Sequence, residues 1–385
     1  RERLGHATQA RPEGPLIWFH AASVGESVSV LALARRMTEK DDATEVLITS
    51  GTASSAEILA QRMPPGCRHQ FAPLDRADAL RRFLAHWRPD ASILVESELW
   101  PQMLVAAHKA GVPLALVNAR MSNASLKNWA RFDATARYLL GLFCLIRTQD
   151  QRTMDGLLDL GADPATTALG PNLKAMSDPL PVDERAYHEV EDAYSGMLWV
   201  AASTHPGEEE KVIDAHLRVM EAVRSARLIL VPRHPDRAAD IAAMVERKGL
   251  SVARRSLSRD PGETDVYIAD TLGEMGLWYQ LAPVVFMGGS FGKAGGHNPY
   301  EPAQMNTALI SGRRVANFAD VYDAFNEAGA VRIVKNAKEL AGAVTILLTD
   351  LEEQRAQKSV AAALAQSRLA ELDDLTDLLV QRLLT

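Results

Sequence analysis

The feature that most constrains this chain is a rhythm that runs twice. In the first half, apolar runs read "PLIWFH" from residue 15, "EVLITS" from 45, "CRHQFAP" from 67, "ASILVES" from 91 and "PLALVNA" from 113. Helical patterns such as "ALRRFLAHW" and "QMLVAAHKAG" lie between them. The rhythm restarts at "MLWVAAS" from 197 and goes on through "ARLILVPRH", "GLSVARR", "DVYIAD", "APVVFMGGS" and "ALISG". Strands that are apolar along their whole length have both faces covered, and helical crossovers between them make the pairing parallel. The expected class is therefore α/β, with two doubly wound, Rossmann-like domains facing a cleft. A length of 385 residues fits two domains better than one. The stretch "LGPNLKAMSDPLPVDERAYHEV" has the Pro, Gly, Asn and Asp content of a linker at roughly 170–190. The boundaries that follow are an N-terminal domain over 1–172, a C-terminal domain over 173–360, and a helical tail over 361–385 able to pack back on the first domain.

Composition excludes some roles. A formal net charge of -7 offers no broad basic field for nucleic acid. Cys67 and Cys144 stand far apart, with neither metal-ligand spacing nor a disulfide framework, which fits a reducing, cytoplasmic setting. No apolar run approaches the ~20 residues of a membrane span; "YLLGLFCLI", from Tyr138, reads as buried core. The chain starts with Arg1 rather than Met, so a preceding N-terminal segment is expected.

In doubly wound sheets, ligands sit beyond the carboxyl ends of the strands. In "FHAASVGES", Ser23-Val24-Gly25-Glu26 has the form of a capping box, in which the serine and the glutamate bond each other's backbone. The same glutamate lies at a strand end, after a glycine that lets a ligand approach, where a carboxylate can take a proton from an attacking hydroxyl. In "ILVESELWPQ", Glu96 and Glu98 close an apolar strand on one side of it. Arg120 in "LVNARMSNAS" can bind an anion or pair with either carboxylate. In "VAASTHPGEEE", Ser203 or Thr204 reads as a helix cap, and Glu208 to Glu210 as partners of the helix dipole. "LILVPRHPDR" puts Arg233 and His234 straight after a strand, which suits a phosphate or a solvated basic turn. "YIADTLGEMG" starts a helix at Gly273 and Glu274, and "VVFMGGSFGKAGGHNPYEPA" is a glycine-rich loop leading through His297, Asn298 and Glu301 into a helix. That loop is neither a Walker loop nor a dinucleotide fingerprint. No Asp-x-Asp closes a strand to hold a metal-bound diphosphate, and no cofactor or metal site is expected.

Taken in order, "SVGE", "ESELWP", "NARMS", "STHPGEE", "VPRHPDR", "DTLGEMG" and "GGHNPYEPA" resemble the 3-deoxy-D-manno-octulosonic acid (Kdo) transferases of lipopolysaccharide synthesis. The resemblance spans Ser23 to Ala303. It implies a GT-B glycosyltransferase that moves Kdo from CMP-Kdo to a lipid A precursor, lipid IVA, with inversion and without a metal. It also implies work at the cytoplasmic face of the bacterial inner membrane, held there peripherally or by a segment N-terminal to this chain. By resemblance, Glu26 is the general base, and Glu96 and Lys174 stabilise the transition state. Pro232 with Arg233, then Leu272, Gly273 and Glu274, then Asn298, Pro299, Tyr300 and Glu301 contact CMP. Leu272 and Tyr300 stand where Met and Leu are more usual. Arg35, Arg36, Lys127 and Arg131, near "SVGE" and "NARMS", are candidates for meeting anionic head groups on the acceptor side. Two other classes remain at this point: a nucleotide-sugar epimerase of the same fold, and a binding protein with a degenerate site.

Overall fold

The computed structural model of the chain describes residues 1–97, 99–173, 176, 179–193, 197–257 and 261–384. The fold divides into two compact units, residues 1–177 with 368–385, and residues 178–367.

The first unit holds β1 (Leu16–His20), β2 (Glu45–Ser50), β3 (Cys67–Phe71), β4 (Ala91–Val95), β5 (Leu114–Ala119), β6 (Phe143–Thr148) and β7 (Thr167–Leu169). They form one sheet in the order β3-β2-β1-β4-β5-β6-β7, with every pairing parallel. The strand order reverses at β1, whose neighbours are β2 and β4. β1 and β4 are buried at every position, as their unbroken apolar sequences require. Two apolar layers cover the sheet. One gathers Trp18, Phe83, Trp87, Leu104 and Leu116, with Trp18 and Phe83 rings 4.8 Å apart. The other gathers Phe19, Ile48, Ile93 and Val117 with Leu372, Leu375, Leu379 and Leu383. Those four leucines recur at intervals of three or four along the helix Leu351–Leu383, which gives it one apolar stripe. Each fully buried leucine contributes about 1.5–3 kcal/mol.

The second unit holds β8 (Met197–Thr204), β9 (Ala226–Pro232), β10 (Val252–Arg254), β11 (Val266–Ile268), β12 (Val284–Met287), β13 (Ala308–Ser311) and β14 (Val331–Ile333). The order is β10-β11-β9-β8-β12-β13-β14, again all parallel. Here the order reverses at β8. Each unit is thus a doubly wound α/β layer structure with its own core, the second built on Trp199, Leu228, Leu230, Phe286 and Ile310.

Three strands escape the sequence pattern. "YLLGLFCLI" is one apolar run, yet a helix ends at Leu140 and β6 begins at Phe143 inside it. A run buried on both sides of a boundary shows no change of period there. β7 and β14 are three residues each, too short to show any period.

Candidate active site

In the first unit, β1 and β4 are neighbours with His20 opposite Leu94. Their carboxyl ends therefore lie side by side, about 4.8 Å apart, and the turns that follow carry Glu26 and Glu96. Ser23 is the N-cap of the helix Val24–Ser29, accepting from the Glu26 N–H at 3.3 Å. Its hydroxyl donates to Glu26 Oε1 at 2.6 Å, and the Ala22 N–H donates to Oε2 at 2.9 Å. The capping box forms in a shifted version, since the carboxylate reaches back to Ala22 rather than to the Ser23 N–H. Glu26 is 8% exposed and held in one orientation at the strand end.

Glu96 follows β4 with φ at +58°, a left-handed backbone that is costly for a residue with a side chain. Its N–H donates to the Val117 carbonyl at 3.1 Å, which ties the turn to β5. Asn118, at φ +51°, repeats the conformation on β5 where the register with β6 shifts. The Asn118 Oδ1 accepts from the Leu173 N–H at 3.2 Å. The "GPNL" segment is thereby drawn back from the sheet edge to the end of β5. Lys174 and Glu98 lie outside the described residues. Arg120 is exposed and pairs with neither Glu96 nor any other described residue.

Of the four basic candidates on this unit, Arg36 is committed. It bonds Asp373 at 2.8 Å and lies 3.4 Å from Glu39. Arg35 is half-buried on the same helix, Leu31–Lys40. Lys127 and Arg131 are exposed on and after the helix Asn123–Ala130, which buries none of its residues. Phe132, directly beyond it, is 65% exposed.

In the second unit, Pro232 ends β9 in the core and Arg233 follows, exposed, with its N–H bonded to the Thr204 carbonyl at 3.0 Å. The Arg233 guanidinium makes no ion pair with a described residue. Gly273 has φ +88°, Leu272 is 80% exposed, and Glu274 bonds Arg255 at 2.7 Å and Thr271. Asn298 accepts from the Tyr300 N–H at 3.1 Å, which shapes the turn into the helix Tyr300–Gln304. Pro299 and Tyr300 are buried, the Tyr300 ring packing edge-on against Phe325 at 5.0 Å, while Glu301 is half-buried.

The expectation for "STHPGEEE" is overturned in part. Neither Ser203 nor Thr204 caps the helix Glu209–Ala222; its N-cap is Glu208. Glu208 is 1% exposed. It accepts from the N–H groups of Gly289 at 2.6 Å, Phe291 at 2.7 Å and His205 at 2.9 Å. Glu209, fully buried, takes a two-pronged bond from Arg237 at 2.6 and 3.2 Å. Only Glu210 stays at the surface. Two of the three partners of Glu208 lie 81 and 83 residues away, so no local pattern could announce those two.

The second unit also gathers histidines. Nε2 of His205 lies 3.0 Å from Nε2 of His297, and His234 meets His205 edge-on at 6.0 Å. These contacts join the ends of β8 and β9 to the glycine-rich loop after β12, and so bring Arg233 into the neighbourhood of Asn298. Among the described residues, no group of three or more His, Cys, Asp or Glu has the arrangement of a metal site, and no helix is long and apolar enough to cross a membrane.

Comparison with known proteins agrees with this geometry. The family model described as 3-Deoxy-D-manno-octulosonic-acid transferase (kdotransferase) matches residues 1–177. A probable mitochondrial 3-deoxy-D-manno-octulosonic acid transferase of Arabidopsis thaliana is 35% identical, with 99% of this chain and 89% of the relative aligned. A 3-deoxy-D-manno-octulosonic acid transferase of Haemophilus influenzae is 28% identical over 97% of this chain and 88% of its own. Among solved structures, a UDP-GlcNAc 2-epimerase from Neisseria meningitidis bound to UDP-GlcNAc superposes with a TM-score of 0.57, covering 94% of this chain and 99% of that one. At 11% identity that likeness is one of fold alone, the GT-B architecture. Two parallel seven-stranded sheets and similarity to named relatives over nearly the whole chain lead to one conclusion: the chain belongs to the Kdo transferase family of glycosyltransferases.

Proposed function

We propose that this chain moves Kdo from CMP-Kdo to a hydroxyl of a lipid A precursor, lipid IVA, in a single inverting displacement with Glu26 as general base. The observation that supports this most is Glu26 itself: a carboxylate at the end of β1, aimed by Ala22 and Ser23 and still partly accessible. A sugar hydroxyl is a poor nucleophile, and a carboxylate in reach of it removes the proton as the new bond forms. The leaving group is CMP, whose phosphate gains a charge as the old bond breaks. Arg233 provides a guanidinium that pairs with no described residue, and a planar fork suits a phosphate. Asn298 and Glu301 meet the ribose in this reading. Glu96 and Lys174 stabilise the transition state in this reading, which routes no step through a metal.

The acceptor is a lipid, so the reading puts the enzyme at the cytoplasmic face of the inner membrane. Lys127 and Arg131 beside the exposed Phe132 support a surface that meets anionic head groups. The test is incubation with CMP-Kdo and lipid IVA, with and without excess EDTA, and mass spectrometry of the lipid. The expected outcome is a mass gain of one or more Kdo units, with a rate within about twofold under chelation, because a metal at the leaving group would contribute several kcal/mol. No mass gain, or change in the sugar nucleotide when the lipid is left out, would remove the proposal.

A further inference from the structure

Three histidines at the carboxyl ends of the second unit's strands have no part in the mechanism above. The rings of His205 and His297 stack at 5.2 Å between centroids, with 16° between their planes and their Nε2 atoms 3.0 Å apart. Gly289, at φ +67°, makes room for this, since a Cβ there would sit 3.1 Å from the His297 ring. Two imidazole nitrogens at that distance hold one hydrogen between them, one ring donating and the other accepting. The accepting ring carries its hydrogen on Nδ1, and the donating ring keeps an open lone pair on its own Nδ1. One further proton fits there without breaking the pair. A second would set two N–H groups face to face.

The charged and titratable groups these rings feel are Arg233 and His234 from the end of β9 and Glu208 and Glu209 from the start of the helix after β8. Both carboxylates are already engaged, Glu208 by three backbone N–H groups and Glu209 by Arg237. Glu208 keeps its charge beside the rings and opposes Arg233, whereas Glu209 is offset by Arg237. Burial first, then His205 and Arg233, push His297 down to about 4. Burial also lowers His205. The pair by itself is neutral near pH 7.

The geometry points to a proton-coupled phosphate site, in which the His205–His297 pair takes up one proton when a phosphate monoester dianion binds beside Arg233. The inference rests on the reading that CMP leaves at this end of the second unit. The charges then balance. The bond between the anomeric carbon and the phosphate oxygen breaks, and its electron pair stays on oxygen. The phosphate changes from a singly charged diester to a doubly charged monoester. The acceptor's hydroxyl proton goes to Glu26, and the proton that joins the histidine pair comes from solvent. An imidazolium bonded to the leaving phosphate then adds a charge-assisted hydrogen bond to the one from Arg233.

Calorimetric titration of the whole chain with CMP at pH 7.5, in two buffers of different ionisation heat, tests this. CMP should bind with net uptake of a large fraction of one proton, and cytidine, which has no phosphate, with none. His205→Gln and His297→Gln, each checked for an unchanged melting temperature, should abolish the uptake and weaken CMP by about tenfold, the equivalent of one unit of pKa coupling. Binding of CMP without proton uptake overturns the inference and leaves the CMP site standing. So does uptake that persists in both variants. Failure of the parent chain to bind CMP at all overturns the reading on which the inference rests, and the inference with it.

Discussion

Glu26 and Glu208 occupy equivalent places in the two units. Each follows the strand at which its sheet reverses, and each stands at the start of a helix. The bonds that orient Glu26 come from Ala22 and Ser23, within four residues, and they leave it 8% exposed. Glu208 is 1% exposed, and two of its three N–H donors come from a loop more than 80 residues away. One carboxylate is aimed by donors in its own turn. The other is consumed as the anchor of a glycine-rich loop. The same position in the same fold is thus an architectural anchor in one unit, and in the proposed function it is the base in the other.

Exchanging the two with glutamine is the largest test of that contrast. Glu26→Gln should cut turnover by roughly a hundredfold or more, since the base is gone, with the melting temperature nearly unchanged. Glu208→Gln should do the reverse in stability. An amide N–H₂ would face backbone N–H groups in a buried site, at a cost of about 1–3 kcal/mol for each bond lost. Circular dichroism melting together with the lipid assay separates the two outcomes. If Glu208→Gln melts normally, or Glu26→Gln turns over normally, the comparison fails.

Acid unfolding sharpens it next. His216 is buried between the Trp199 indole, 3.1 Å away, and the Asp265 carbonyl, 3.0 Å away. Burial pushes it down to about 4. The unfolded chain protonates this histidine near 6.5 while the folded one does not, so stability present above pH 6.5 is lost as pH falls toward 4. The loss for this group reaches about 3 kcal/mol. His297 acts in the same direction. In the first unit, His69 is lowered mainly by burial as well. Scanning calorimetry from pH 7 to 5 should show the larger shift in the second unit's transition, and His216→Asn should flatten it. An equal shift in both transitions, unaltered by that variant, contradicts the assignment.

Arg233 against Arg237 repeats the contrast with cations. Arg237 is committed to Glu209, whereas Arg233 pairs with no described residue. Arg233→Lys keeps the charge and loses the fork, so CMP should bind about tenfold more weakly with no change in melting. Unchanged affinity would place the phosphate elsewhere. The smallest effect is expected at the membrane. Lys127→Ser with Arg131→Ser should lower sedimentation with anionic vesicles at low salt, by about 1 kcal/mol per charge removed. Adding Arg36→Ser should change little more, because that side chain is held by Asp373. Undiminished vesicle binding by the double variant rules this patch out as the docking face.

What could be read from the sequence follows from the range of the forces involved. Continuous apolar strands alternating with helices specify two parallel, doubly wound sheets, because burying both faces of a strand leaves few other solutions. The Ser23 cap and the turn of Glu26 could be read because their donors lie within four residues. The seven short motifs, taken in order, were enough to suggest the family. Tertiary structure alone decided the rest. Nothing near Glu208 or Glu209 in sequence announces the loop or Arg237 that claims them. The left-handed backbone at Glu96 and Ser203 has no signature in residues that usually avoid it. The His205–His297 contact joins residues 92 apart. A helix cap is set by neighbours along the chain, but a buried charge is set by whatever packs against it. That is why the role of Glu26 could be posed from its own tetrapeptide, whereas the role of Glu208 required the folded unit.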